Sequence, residues 1–101
     1  MLELSFYLAT NGDSPFQKWF ATLDTAAAVK ITTALTRLEL GNLSNVKSVG
    51  EGVLENRIDW GPGYRLYFGR DGNTLVILLT GGTKQRQQRD INQAQSLWAD
   101  D

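Results

Sequence analysis

Apolar residues change their spacing along this chain, and each change marks a new element. Residues 2–8 alternate loosely between apolar and polar, which is the period of a strand. Asn11-Gly12-Asp13-Ser14-Pro15 then reads as a turn ending in a helix start, with Ser14 as N-cap and Pro15 at the first helical position. Phe16, Trp19, Phe20 and Leu23 recur at helical spacing. Asp24 reads as a second N-cap, and Ala27, Ile31, Ala34, Leu35 and Leu38 carry the same period to a stop at Gly41-Asn42. The pattern predicts two consecutive helices, or one long helix bent near Asp24.

After a polar loop the period falls to two. Over residues 53–60, Leu54, Asn56, Ile58 and Trp60 share one strand face, and Val53, Glu55, Arg57 and Asp59 share the other. Gly61-Pro62-Gly63 is a turn, after which Tyr64, Leu66 and Phe68 stand opposite Arg65 and Tyr67. A three-residue loop predicts Trp60 paired with Tyr64, which sets Ile58 against Leu66, Asp59 against Arg65 and Arg57 against Tyr67. Asp71-Gly72 is a two-residue hairpin signal, placing Phe68 opposite Leu75 and Arg65 opposite Leu78. Residues 75–79 are apolar on both faces and are expected to form the central strand. A short closing helix follows Gly81-Gly82, with Ile91, Ala94, Gln95 and Trp98 on one face. The expected class is α+β: an N-terminal strand and two helices, then an antiparallel three-strand meander and a short C-terminal helix. The helices are expected on one sheet face, leaving open the face that bears Glu55, Arg57, Arg65 and Tyr67. No linker or repeat divides the chain, so residues 1–101 are expected to form a single domain.

Composition narrows the chemistry. The chain has neither histidine nor cysteine. Disulfides, thiol nucleophiles and the usual zinc ligands are therefore out, and any acid–base step must use carboxylates, lysine, arginine, tyrosine or hydroxyls. No metal and no cofactor is expected. The longest apolar run is too short for a bilayer, and the N-terminus lacks a basic start followed by an apolar stretch, so the expected location is the cytoplasm, with no membrane partner. The formal net charge of −1 hides an uneven distribution. Between residues 47 and 89, Lys47, Arg57, Arg65, Arg70, Lys84, Arg86 and Arg89 face Glu51, Glu55, Asp59 and Asp71. Such an excess suits a polyanion only if the side chains converge in space.

Arginines and a lysine thus run through strands that otherwise look like core. A cation on a strand face is either paired or kept for a charged partner, of which phosphate is the commonest. Arg65 and Arg57 suit a phosphate group, because the guanidinium fork matches phosphate oxygens and stays charged. Lys84, just past the strand end, can supply charge or a proton. Glu55 lies two residues from Arg57 on the same face and is the best-placed carboxylate to act as base. Lys47, Arg86 and Arg89 suit backbone phosphates, and Tyr67 suits stacking on a base. The plainer alternative is that Arg65 and Asp59 form a surface ion pair across the hairpin, worth under about 1 kcal/mol, that Arg57 merely balances Glu55, and that residues 84–89 are a solvated helix start.

Four blocks resemble the RelE/HigB superfamily, and within it the addiction-module killer protein branch. They are Lys47 through Arg57, Gly61-Pro62-Gly63-Tyr64-Arg65-Leu66-Tyr67-Phe68, Gly81-Gly82-Thr83-Lys84 and Gln88-Arg89-Asp90-Ile91. Phe16-Gln17-Lys18-Trp19-Phe20 and Arg37-Leu38-Glu39-Leu40-Gly41-Asn42 match the same branch. The resemblance implies a RelE-like fold and the toxin of a type II toxin–antitoxin pair: an endoribonuclease that cuts mRNA on the ribosome. It also implies a cognate antitoxin, often a helix-turn-helix protein encoded alongside. Two departures stand out. Branch members often carry Asp-Lys-Ser where Thr83-Lys84-Gln85 stands here, and the tyrosine or histidine that some superfamily members place near the closing helix has no counterpart. The alternatives are a catalytically degenerate toxin fold kept as partner of a DNA-binding antitoxin, and a small DNA-binding protein.

Overall fold

Ser14 and Asp24 each accept a backbone N–H three residues ahead, from Gln17 and Ala27, and so fix two separate helix starts. The computed structural model describes residues 1–100. It has a strand β1 (Glu3–Phe6), helices α1 (Pro15–Phe20) and α2 (Thr25–Glu39), and strands β2 (Val46–Ser48), β3 (Leu54–Ile58), β4 (Tyr64–Asp71) and β5 (Leu75–Thr83). A 3-10 turn (Lys84–Arg86) leads into helix α3 (Gln87–Ala99). The architecture is α+β around one five-stranded mixed sheet of order β1-β5-β4-β3-β2. β1 runs parallel to β5, and the other neighbouring pairs are antiparallel.

The helices do not share a face, contrary to the sequence expectation. α1 and α2 cover one side, where Phe16, Ile31 and Leu38 pack on Leu66, Phe68, Val76 and Leu78. α3 covers the other side, where Ala94 packs on Val53, Tyr67 and Leu79, with Ile91, Leu97 and Trp98 around them. The backbone of Gly69 lets Trp98 lie flat on the sheet: a Cβ built there would come within 2.6 Å of its ring. The polar strand face expected to be open is therefore roofed. β4, covered on both sides, is buried from Tyr64 through Gly69 and is the middle strand of the five; β5, expected there, lies between it and β1.

Two registers also differ from expectation. β3 stops at Ile58, which pairs with Tyr64, so Arg57 stands opposite Arg65 and Glu55 opposite Tyr67. The connection holds five residues instead of three, closed by backbone bonds from Trp60 to Ile58 and from Gly63 to Trp60. The shift is an even number of positions, so every side chain keeps its face. On the far edge, β4 continues through Asp71, which pairs with Leu75, and a bulge falls between Tyr67 and Phe68. Phe68 then faces Leu78, and Arg65 faces Gly82. β2, lying within the stretch read as polar loop, is an additional strand that sets Lys47 opposite Glu55.

Candidate active site under the third helix

Glu55 sits where three strands and a helix meet. Its side chain is 1% exposed, and three groups surround the carboxylate. The Arg65 Nε and the Lys47 Nζ each lie 3.9 Å from Oε1, while the Gln87 amide donates a 2.9 Å hydrogen bond to Oε2. The strand registers explain the cluster: Lys47 is directly across β2, Tyr67 is directly across β4, and Arg65 is the diagonal neighbour two positions away. Arg65 is also buried, and its Nη1 donates to the Tyr64 carbonyl at 3.2 Å.

Lys84 flanks the same guanidinium. A Cβ built at Gly63 would lie 3.3 Å from the Lys84 Cβ and 3.6 Å from Arg65 Nη1. The Lys84 backbone N–H donates to the Gly63 carbonyl, which fixes the strand end against the turn. The absence of a side chain at residue 63 thus leaves room for the Lys84 methylenes and the Arg65 guanidinium beside the turn.

Asp90 was not among the candidates read from sequence. It is buried at the first turn of α3, its carboxylate pressed against Gly82, where any Cβ would collide with it. Burial pushes its carboxyl above the ordinary value, partly offset by Arg86 and Arg89. The signal lay in the helical period: Asp90 precedes Ala94 by four residues and so belongs to the packed stripe. Gln87 was likewise missed, because nothing in its type distinguishes it from Gln85 or Gln88.

Tyr67 is wholly buried, with no ring face open to a stacked base, unlike the sequence expectation. Burial, reinforced by the charges of Glu55 and Asp90 and opposed by Arg65, pushes its hydroxyl well above the ordinary tyrosine range. It is therefore a proton-bearing group at any physiological pH. Its oxygen, Glu55 Oε1, Arg65 Nε and Asp90 Oδ2 are all buried without a hydrogen-bond partner in the protein. An unsatisfied buried polar atom costs about 1–3 kcal/mol, a cost that Glu55 Oε1 and Arg65 Nε partly offset as an ion pair at 3.9 Å. Four of them under one helix are poor economy for a core, and they make a preorganised polar constellation.

The remaining candidates distribute around it. Lys47 and Lys84 are exposed beside Arg65 and Glu55; Arg86 and Arg89 are exposed near Asp90. Arg57 departs from the group. Although its backbone faces Arg65, its Nε pairs with Asp59 at 3.4 Å, and both residues line a groove against α2. The Asp59–Arg65 ion pair, the plainer alternative, does not form, because the register places Arg57 opposite Arg65 and Glu55 pairs with Arg65. Among the described residues, no group of three acidic, histidine or cysteine side chains could hold a metal ion. Nor is any helix long and apolar enough to cross a membrane.

The geometry defines a small α+β domain with a carboxylate–guanidinium pair roofed by a helix and rimmed by lysines and arginines. The family model described as Phage derived protein Gp49-like (DUF891) matches residues 18–98. An uncharacterized protein of Haemophilus influenzae is 45% identical over 83 residues, spanning 81% of this chain and 84% of that protein. The chain belongs to the Gp49-like family, a phage-derived family associated with toxin–antitoxin pairs.

Proposed function

We propose that this chain is the toxin of a type II toxin–antitoxin pair, and that it cleaves mRNA as a metal-independent endoribonuclease, on the ribosome, until a cognate antitoxin silences it. The finer resemblance to the RelE/HigB superfamily supports that reading, as does membership of the Gp49-like family. The observation that carries it is Arg65: a buried guanidinium paired with Glu55 beside the Gly61–Gly63 turn, against which the Lys84 side chain also packs.

In the proposed reaction the RNA 2′-oxygen attacks the adjacent phosphorus and the bond to the 5′-oxygen breaks, leaving a 2′,3′-cyclic phosphate. Glu55 takes the 2′-hydroxyl proton, and Lys84 returns a proton to the departing 5′-oxygen. Arg65 stabilises the dianionic phosphorane, a task for which a preorganised cation is worth roughly 3–4 kcal/mol. Lys47, Arg86 and Arg89 hold the flanking backbone through their exposed charges.

One observation favours a second reading. Gln87 caps the Glu55 carboxylate and α3 roofs Arg65, as in a toxin fold retained only to bind an antitoxin. Expression of the chain alone in a bacterial host separates the two. Growth arrest with cleaved transcripts on ribosomes, relieved by Arg65→Ala or Lys84→Ala, is expected of the nuclease. Harmless expression with intact transcripts would leave only the binding role.

A further inference from the structure

Arg57 left the central cluster, and where it went is informative. Beyond Asn56, which pairs with Val46, the edge of β3 is no longer paired with β2, and a groove of about 430 Å³ opens between β3 and α2. Lys30 and Arg37, two helical turns apart on α2, form one wall with exposed side chains. Arg57 and the loop residue Asn45 form the other. Neither Lys30 nor Arg37 takes part in an ion pair among the described residues, and the one carboxylate on the groove, Asp59, is already matched by Arg57. The groove therefore carries two uncompensated cations.

Its floor adds specificity of a different kind. Asn56 is only 7% exposed, yet it lines the groove and its amide makes no side-chain hydrogen bond among the described residues. A nearly buried amide left free is a built donor and acceptor. Trp60 is stacked on Tyr64, with centroids 6.2 Å apart and planes 22° apart, and carries the Lys30 ammonium over its ring at 5.6 Å. The indole thus positions a cation instead of offering itself as a platform. Cations, amides and no free aromatic face together suit the oxygens of a phosphodiester backbone. The groove is also lined by Val29, Ala34, Ile58 and Trp60, so an acidic helical segment is the rival occupant to be set against RNA.

We propose that the α2–β3 groove is a second nucleic-acid site, which grips the backbone phosphates of single-stranded RNA flanking the segment held at Arg65. This rests on the RNA reading of the Arg65 site. Arg57 and Arg65 are cross-strand partners, so the groove begins about one inter-strand spacing, roughly 5 Å, from that site. A strand leaving Arg65 can turn round the β3 edge into it.

The test uses the full chain and uncleavable 2′-O-methyl RNA of four and twelve nucleotides, with binding followed by fluorescence anisotropy across a salt series. Lys30→Glu/Arg37→Glu is expected to weaken the twelve-mer at least tenfold and to reduce the salt slope by about 0.7 per lost phosphate contact, while barely affecting the four-mer. Lys30→Gln/Arg37→Gln, with thermal melting as a folding control, should give the same trend at smaller size. An unchanged affinity and slope for the twelve-mer in folded variants would overturn the groove, whatever the outcome of the toxicity assay. Displacement of the RNA by a glutamate decapeptide at equal or better affinity would overturn it too, in favour of an acidic protein partner. Toxicity retained in Arg65→Ala with groove-dependent binding intact would keep this site and locate the cleavage step elsewhere, so the two readings fail separately.

Discussion

The two sides of the sheet are built to different rules. Under α1 and α2 lies a continuous apolar layer in which Phe16, Ile31, Leu38, Leu66, Phe68, Val76 and Leu78 leave almost no surface exposed. Under α3 only Val53, Tyr67, Leu79 and Ala94 are wholly packed, and beside them stand Glu55, Arg65 and Asp90. A roof over charge gains less from burial than a roof over hydrocarbon, because each polar atom must be satisfied or charged against stability. The difference teaches that this fold draws its stability from one side and holds its chemistry on the other. Substitutions on the two sides should therefore separate folding from activity.

The largest effect belongs to the apolar side. Phe68→Ala should cost about 3–5 kcal/mol through lost contacts and the cavity left behind. That is a large part of the roughly 5–15 kcal/mol holding a typical domain together. Urea denaturation measures it, and loss of activity in this variant would simply follow unfolding. A cost below about 1 kcal/mol would mean that the α1–α2 side is not the anchor, and the comparison would break.

On the other side the same measurement should come apart from function. Arg65→Met alone leaves Glu55 as a buried charge without its guanidinium, and is expected to cost about 3 kcal/mol. The double change Glu55→Leu/Arg65→Met removes both charges, and should be neutral or stabilise by about 1–4 kcal/mol while abolishing toxicity. Stability recovered with activity still lost would sharpen the division between the two faces. A double variant as unstable as the single would show that the polar cluster contributes to folding in its own right.

Gln87→Ala tests the roof more gently. It removes the 2.9 Å bond to the Glu55 carboxylate and should cost about 1–2 kcal/mol. If the amide shields the carboxylate from RNA, cleavage by the variant should rise even as its melting temperature falls. If cleavage falls in step with stability, Gln87 positions Glu55 for its task.

Much of this division was legible in the residues themselves. Helix starts at Ser14 and Asp24 follow from local hydrogen-bonding chemistry, which sequence carries directly. Strand faces survived a wrong register, because the shift at Ile58–Tyr64 was even and parity alone decides which side a residue takes. The second layer was misread for a physical reason: charged residues on a strand were taken as solvent-facing, although Val53 and Leu79 on the same side needed a cover and the stripe of Ile91, Ala94 and Trp98 needed a seat. Matching those two unpaired apolar sets would have placed α3. The fate of Arg57 was not legible, since its turn toward Asp59 depends on where β2 ends. Asp90 was legible as a packed position four residues before Ala94, but its close approach to Gly82 was not.

The smallest expected effect is also the most selective, because it isolates one buried carboxyl. Burial raises the Asp90 pKa in the folded chain above its unfolded value of about 3.8. Between those two values the native state binds the extra proton, so stability is full below pH 3.8 and declines as pH rises through the folded pKa. The more usual paired carboxylate behaves the opposite way, gaining stability as pH rises. Asp90→Asn cannot ionise and keeps nearly the same shape beside Gly82, so it should remove this decline. The difference in unfolding free energy between variant and wild type should therefore grow in favour of the variant as pH rises from about 3.8 through the folded pKa, then level off. Arg86 and Arg89 oppose the shift, and raising the salt concentration screens these exposed cations, so the difference should widen in salt. A difference that shrinks with rising pH would mean that Asp90 is held by a partner on the α3 side, and that this face is better satisfied than its packing suggests.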